Sequence, residues 1–263
     1  MLIIGEKLNS TIPSVRTAIQ DRNETFIQDL ARLQVEGGAT FLDVNTAQGN
    51  NEQEDMEWMV KIVQEVVDVP LCIDSVDPAT IKRGLKNHRG KAMLNSISME
   101  TSRLKGMIPL AKEYGCELIA LTMDDQGIPK TAEERIKIAG QLIDVLVKEN
   151  ISLDEVYVDP LVLPLAVSSD NAAIFFECLA DIKKIYNVKT VSGLSNVSHS
   201  LPKRKLVNRY FLTICMSHGM DAAIMDSTDR KLTSTVIATN LLLNQDPFSR
   251  RYLKAYRQEF LEE

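Results

Sequence analysis

Eight short apolar runs recur along the whole chain, separated by stretches with apolar residues at three- and four-residue spacing. Short apolar runs with polar flanks are typical of buried parallel strands, and the intervening spacing is typical of amphipathic helices. Ile136, Ala139, Ile143 and Val147 illustrate the helical spacing. The predicted strands are Leu2–Gly5, Phe41–Val44, Leu71–Ile73, Ala92–Leu94, Leu118–Leu121, Val156–Val158, Thr190–Ser192 and Ala222–Met225.

Eight strand–helix units in 263 residues predict a (β/α)₈ barrel, and an open doubly wound sheet is the alternative. Several predicted helices have recognisable ends. Asp77-Pro78 is typical of a helix start, Thr131 with Glu134 forms a capping-box pattern, and Gly115 is typical of a helix end. No Gly/Ser-rich linker or charge block interrupts the alternation. We therefore expect one domain over residues 1–263.

Composition excludes several classes of protein. The chain carries a net charge of −6 with Lys and Arg scattered along it, so no nucleic-acid partner is expected. No apolar run approaches the roughly 20 residues of a membrane span, and an acidic residue follows the first five positions, too early for a signal peptide. A cytoplasmic protein is expected. Four dispersed cysteines predict buried core thiols: Cys72, Cys116, Cys178 and Cys215.

Common catalytic motifs are absent. His88, His199 and His218 fit no metal-binding spacing, so no bound metal is expected, and no dinucleotide, Walker or serine-hydrolase motif occurs. A Schiff-base aldolase has little support among the lysines. Lys91 and Lys189 flank strand starts, and Lys7 is expected just beyond the first strand.

Polar residues gather where the predicted strands end, which is where a barrel places its active site. Each residue alone is as typical of a helix cap or turn as of a ligand site. Together, carboxylates and amides at one mouth would be costly if unpaired, so they predict a ligand rich in donors and acceptors. The set comprises Glu6, Asn9, Asp43, Asn45, Asp74, Asn95, Asp159, Gly193, Ser195 and Asn196.

The stretches "CIDSVD", "MLNSIS", "VYVDPLVLP" and "GLSNVSH" together resemble the methyltetrahydrofolate:corrinoid protein methyltransferases of the pterin-binding family. The resemblance extends from "LIIGEKLN" to "GMDAAIMDSTD". It implies a (β/α)₈ barrel, commonly a homodimer, that moves a methyl group between N5 of tetrahydrofolate and the cobalt of a corrinoid. The chain has no D-x-H-x-x-G cobalamin signature, so a partner protein is expected to carry the corrinoid.

The resemblance also implies roles for particular residues. Asp74, Asn95 and Asp159 match positions that bind the pyrimidine edge of the pterin, whose donors and acceptors suit carboxylates and amides. Asn196 matches the amide near N5 and is the predicted catalytic residue, since N5 is a poor leaving group without a proton or strong hydrogen bond. Gly193 and Ser195 would let the loop approach the ring.

Two further positions are expected to contribute at the same loop. His199 stands where some relatives carry a glutamine, and it either relays a proton or is a locally bonded turn residue. Arg204, flanked by Lys203 and Lys205, is expected to hold a carboxylate of the folate tail, with a solvated helix start as the alternative.

Other functions remain open at this point. The partner is either the iron–sulfur corrinoid protein of acetyl-CoA synthesis or the small corrinoid protein of an O-demethylase or methylamine-type system. In the second case the methyl group could pass from cobalt to tetrahydrofolate. The competing functions are a dihydropteroate-synthase-like enzyme and a non-catalytic folate-binding protein.

Overall fold

The computed structural model describes residues Met1–Glu263 and shows eight parallel strands, each followed by helix, in the order expected for a (β/α)₈ barrel. The strands are β1 (Leu2–Asn9), β2 (Phe41–Asn45), β3 (Leu71–Asp74), β4 (Met93–Ser98), β5 (Glu117–Leu121), β6 (Val156–Asp159), β7 (Lys189–Thr190) and β8 (Ala222–Met225). The helices are α1 (Pro13–Gln20), α2 (Glu24–Glu36), α3 (Glu52–Val63), α4 (Pro78–Asn87), α5 (Thr101–Tyr114), α6 (Ala132–Lys148), α7 (Asn171–Tyr186), α8 (Arg204–Ser217), α9 (Arg230–Leu242) and α10 (Arg250–Arg257).

Neighbouring strands pair in sequence order from β1 to β7, and β8 pairs with β1. The circle closes between β7 and β8 through a parallel bridge between Gly193 and Ile224 and a hydrogen bond from the Ile224 N–H to the Ser192 carbonyl at 2.8 Å. The predicted barrel is therefore confirmed, and the open-sheet alternative is wrong.

The barrel interior contains an apolar layer of eight side chains, one from each strand or, for β7, from the residue that follows it. These eight side chains contact one another and fill the barrel, while a larger core of 53 buried residues packs between the sheet and the helices. Because successive side chains of a strand alternate between the two faces of the sheet, the residue two positions further along each strand also points inward. The apolar layer consists of Ile4, Phe41, Cys72, Met93, Ile119, Tyr157, Val191 and Ala222.

The helix ends predicted from sequence are confirmed. Asp77 accepts hydrogen bonds from the N–H groups of Ala79 and Thr80 at the start of α4. At α6 the Thr131 hydroxyl accepts from the Glu134 N–H at 3.3 Å and donates to the Glu134 carboxylate at 2.9 Å. Gly115 ends α5 in the left-handed conformation that glycine adopts without strain.

The first strand is longer than its apolar run. β1 continues through the polar residues Glu6 and Lys7 to Asn9, so the expectation that Lys7 lies beyond the strand is wrong. Polar residues are tolerated there because their side chains reach the open end of the barrel. The four cysteines are all buried and unpaired, as predicted. No helix combines the length and apolar character needed to cross a membrane.

Candidate active site

A cavity of about 740 Å³, here called the mouth, opens at the carboxyl ends of the strands and is lined by 19 residues, only four of them hydrophobic. Its floor is the layer two residues beyond the apolar layer on each strand. Polar side chains occupy five of these eight positions. The floor consists of Glu6, Asp43, Asp74, Asn95, Leu121, Asp159, Gly193 and Ile224.

Two amide–carboxylate pairs organise one side of the floor. The Asn45 side-chain amide donates to an Asp74 carboxylate oxygen at 2.8 Å, and the Asn95 amide donates to Asp43 at 3.1 Å. The residues come from three adjacent strands, whose parallel register places Asn45, Asp74 and Asn95 side by side. Asp43 is 3% exposed. Asn45 therefore orients Asp74, and Asp43 orients Asn95.

Burial shifts the acidity of the floor. Burial raises the pKa of Asp159 to about 7, although the backbone N–H groups of Leu161 and Gly193 partly offset the shift. Burial likewise raises the pKa of Glu6 to about 6, opposed by the hydrogen bond from Ser195. For Asp43 and Asp74 the pKa is also raised by burial, and for Asp43 the neighbouring Asp74 charge adds to the increase. A floor of this kind favours a ligand that donates several hydrogen bonds to its carboxylates.

The loop after β7 carries the predicted catalytic amide. This loop runs from β7 to α8 and contains a one-turn 3₁₀ helix, Leu194–Asn196. Ser195 links the loop to the rest of the barrel, because its hydroxyl donates to Glu6 at 2.9 Å and its carbonyl accepts from Arg204 at 2.7 Å. The Asn208 amide of α8 donates to the same hydroxyl at 3.4 Å. These bonds from β1 and α8 hold the loop in place.

The Asn196 side chain is exposed in the mouth and makes no hydrogen bond within the protein. Gly193 lies directly beneath it. A Cβ atom added at Gly193 would lie 3.0 Å from Asn196 Nδ2, tighter than most Cβ contacts, so the amide would have to shift. The absence of a side chain at position 193 therefore lets the amide take up this position, with its donors and acceptor free for a ligand.

The other predicted residues also reach the mouth. His199 lines it, with an exposed side chain that makes no hydrogen bond within the protein. Arg204 lines it too, but its guanidinium donates to the Ser198 hydroxyl at 3.2 Å and to the Ser195 carbonyl. The structure thus brings every residue predicted for the site to one cavity or to its supporting shell.

The sequence analysis missed two cations of the mouth, Lys7 and Arg103, and the acidic partner of Lys7. Lys7 forms an ion pair with Asp226 at 2.8 Å, and this pair, together with the Thr228 hydroxyl, holds the pKa of Asp226 below its usual value although burial opposes it. Arg103, near the start of α5, donates to Ser96 at 3.3 Å. In a regular strand Lys7 would point away from the barrel interior, on the same face as Gly5 two positions earlier. Its inward direction follows a register shift in β1 between Gly5 and Leu8.

Comparison with known proteins decides the family. The model of the pterin binding enzyme family matches residues 5–226. The chain belongs to the pterin binding enzyme family. It is 39% identical over 262 residues to the methylcorrinoid:tetrahydrofolate methyltransferase of Eubacterium limosum, covering 98% of this chain and 97% of that protein. It is 28% identical to the methionine synthase of Mycobacterium tuberculosis over 243 residues, which are 87% of this chain and 20% of that protein.

Solved structures of other enzymes share the fold at low sequence identity. A dihydropteroate synthase of Xanthomonas albilineans superposes with a TM-score of 0.70 at 14% identity, covering 94% of this chain and 93% of that one. The Yersinia pestis dihydropteroate synthase gives a TM-score of 0.67 at 17% identity, covering 93% and 92%. These likenesses concern the barrel alone.

Proposed function

We propose that this enzyme transfers a methyl group between the cobalt of a methylated corrinoid and N5 of tetrahydrofolate. The observation that carries the proposal is an unbonded amide, Asn196, beside a floor of buried carboxylates, in a chain 39% identical along nearly its full length to a methylcorrinoid:tetrahydrofolate methyltransferase. The name of that relative puts the methylcorrinoid before tetrahydrofolate, and we propose the same direction here, from cobalt to N5.

Asp74, Asn95 and Asp159 are proposed to bind the pterin ring. The 2-amino group and N3–H of the pterin are adjacent donors, which suit the carboxylates of Asp74 and Asp159. The Asn95 amide can pair with a ring acceptor and donor. Hydrogen bonds from the pterin to the ionised carboxylates offset the cost of burying those charges.

Asn196 is proposed to act at N5. In the direction from cobalt to folate, N5 attacks the methyl carbon with its lone pair, the carbon–cobalt bond breaks with its electron pair on cobalt, and N5 loses its proton to solvent. The reverse reaction passes through the same transition state. A hydrogen bond from the Asn196 amide is most valuable where charge changes on N5, by analogy with a donor in an oxyanion hole.

The proposal also covers the folate tail, the role of His199 and the protein that carries the corrinoid. Arg204 is proposed to meet the first carboxylate of the folate tail, since its guanidinium lines the mouth. His199 is proposed to lie near the ring. The corrinoid is proposed to arrive on a partner protein, either the small corrinoid protein of an O-demethylase or methylamine-type system or the iron–sulfur protein of acetyl-CoA synthesis.

A homodimer and a cytoplasmic location complete the proposal. α8 exposes Leu206, Tyr210 and Ile214 at four-residue spacing, with 46%, 68% and 41% exposure, an apolar stripe that a second copy would cover. Four unpaired buried cysteines are consistent with a reducing compartment. Light scattering on the purified protein tests the dimer, and a monomer at micromolar concentration would contradict it.

The experiment that tests the function mixes the purified protein with methylcobalamin and tetrahydrofolate. We expect methylcobalamin to be consumed and 5-methyltetrahydrofolate to form in equal amounts. Folate binding without demethylation would indicate a folate-binding protein instead. Formation of dihydropteroate from a pterin pyrophosphate and 4-aminobenzoate would indicate a dihydropteroate synthase.

A further inference from the structure

A second cavity, of about 360 Å³, adjoins the mouth and has no hydrophobic residue in its wall. Here it is called the basic pocket. Four cations line it, Lys205 and Arg209 from α8 and Arg230 and Lys231 from α9, against two acids, Asp229 and Glu262.

Neighbouring residues link the basic pocket to the mouth. Arg204 lines the mouth and its neighbour Lys205 lines the basic pocket. Across from them, Thr228 lines the basic pocket and donates to Asp226 at 2.6 Å, and Asp226 is the partner of the mouth residue Lys7. A flexible chain leaving the mouth past Arg204 would therefore be directed toward the basic pocket.

The cations of the basic pocket are only partly compensated. Lys205 forms an ion pair with Asp229 at 3.3 Å, and Arg230 approaches Glu262 at 3.7 Å. Arg209 and Lys231 have no acidic partner among the ion pairs of the protein. Two positive charges are thus left facing one polar cavity.

These cations lie at or near helix starts, where the helix dipole disfavours positive charge. α8 has no side-chain cap and no acidic residue in its first turn, which instead holds Arg204 and Lys205 after Lys203 at the cap position. α9 begins with Arg230 and Lys231, but its N-cap is Asp229, whose carboxylate accepts from the Leu232 N–H. Helix starts favour negative charge, so the start of α8, which has no acidic cap, is the one poised for an anion to bind, with the cations of α9 beside it.

We propose that the basic pocket binds the γ-linked glutamate chain of polyglutamylated tetrahydrofolate. This inference rests on the proposed function, which places a folate in the mouth with its first carboxylate at Arg204. Each further glutamate adds one carboxylate on a flexible chain. Arg209 and Lys231 are the uncompensated cations that such carboxylates meet.

The test compares tetrahydrofolate carrying one glutamate with tetrahydrofolate carrying five, by calorimetry at low salt. The wild-type protein should bind the pentaglutamate about fivefold to tenfold more tightly, as expected for two partly exposed ion pairs. Added salt should reduce this ratio. In Arg209→Ala/Lys231→Ala the ratio should fall to near one.

A matched control removes two lysines from the opposite end of the barrel. Lys86 and Lys148 lie exposed in the last turns of α4 and α6, and Lys86→Ala/Lys148→Ala should keep the wild-type ratio. Lys231→Glu provides a second test should the double variant fail to fold. Lys231 is exposed in the first turn of α9. The Lys231→Glu variant should also lower the ratio of pentaglutamate to monoglutamate affinity.

The outcomes separate this inference from the proposed function. Equal affinity of the wild-type protein for the two folates would overturn the pocket assignment while tetrahydrofolate binding stands. A ratio that survives in Arg209→Ala/Lys231→Ala would also overturn it, and would direct attention to an acidic partner protein as the counterpart of these cations. Binding of neither folate would overturn both proposals.

Discussion

Asn196 is the residue on which the proposed chemistry depends most. Replacing it with alanine should lower the single-turnover rate of methyl transfer about 10²- to 10³-fold, the cost of one lost transition-state donor. Tetrahydrofolate affinity should change far less, because the bond strengthens only as charge develops at N5. Rapid-mixing kinetics and calorimetry measure the two quantities. Asn196→Asp keeps the shape and removes the donor, so a wild-type rate in that variant would exclude amide donation.

Asp159 should contribute to binding more than to rate. It is 6% exposed, and its carboxylate is the acceptor expected to face the pterin donors. Asp159→Ala should weaken tetrahydrofolate by about 1–3 kcal/mol, because buried donors of the ring lose their partner. Calorimetry on this variant and on the alanine variants of Asp74 and Asn95 checks the assignment. Unchanged affinity in all three would remove them from the pterin site.

Arg204 should matter for the tail and not for the ring. Arg204→Ala should weaken binding of polyglutamylated tetrahydrofolate more than of a pterin lacking the tail, and salt should narrow the gap. Because Arg204 also donates to Ser195, calorimetry with both ligands is needed. Equal losses of affinity for the two ligands would indicate that Arg204 holds the loop after β7 and does not bind the tail.

Most residues of the site could be predicted because strand ends are visible in the sequence. Asp74, Asn95 and Asp159 each follow an apolar run directly, and the barrel brings such positions together. Asp226 follows the eighth apolar run and carries the same signal, although it was not selected. Lys7 and Arg103 could not be predicted in this way. Lys7 depends on the register shift in β1, and Arg103 reaches the mouth from a helix, so neither has a strand-end signal.

The loop after β7 depends on one small residue. A methyl group at Gly193 would lie 3.0 Å from Asn196 Nδ2, so Gly193→Ala should displace the amide. We expect the methyl-transfer rate to fall about tenfold or more while the free energy of unfolding changes by less than about 1.5 kcal/mol. Single-turnover kinetics with urea unfolding tests this. A wild-type rate would mean that the amide position tolerates movement.

At the level of elements, caps and apolar runs predicted boundaries well. α4, α5 and α6 begin or end where Asp77, Gly115 and Thr131 indicate, because these residues satisfy backbone groups locally. β7 is only Lys189–Thr190, shorter than its apolar run indicates. Its remaining residues close the barrel through single bonds to β6 and β8, an arrangement that depends on partners distant in sequence.

The buried carboxyl groups of the barrel lower the free energy of unfolding as pH rises. A carboxyl whose pKa is higher in the folded state binds its proton more tightly there, so its contribution to stability falls as pH rises from its unfolded value near 4 to its folded value. For Asp159 this window runs from about 4 to about 7. The predicted loss is about 1.4 kcal/mol for each unit by which the two pKa values differ.

Urea unfolding of the ligand-free protein at pH 5 and pH 8 tests this cost against Asp159→Asn. The variant should gain stability relative to wild type as pH rises. His88, whose pKa is lowered by burial, acts in the opposite sense near pH 6, but it is common to both proteins and cancels in the difference. A difference that does not change with pH would contradict the raised pKa of Asp159.

The basic pocket shows what only the assembled molecule reveals. Its cations lie on α8 and α9, and in the sequence Arg209 and Lys231 are 22 positions apart among scattered charges. The fold brings them together beside the mouth.

Single-turnover methyl transfer tests the central claim most directly. Purified protein in excess is mixed with methylcobalamin and tetrahydrofolate, and cobalamin absorbance and folate mass are followed together. The account predicts one 5-methyltetrahydrofolate for each methylcobalamin consumed, with the rate lowered at least about a hundredfold in Asn196→Ala. Methylcobalamin that stays intact in the presence of bound tetrahydrofolate, or an Asn196→Ala variant that reacts at the wild-type rate, would contradict it.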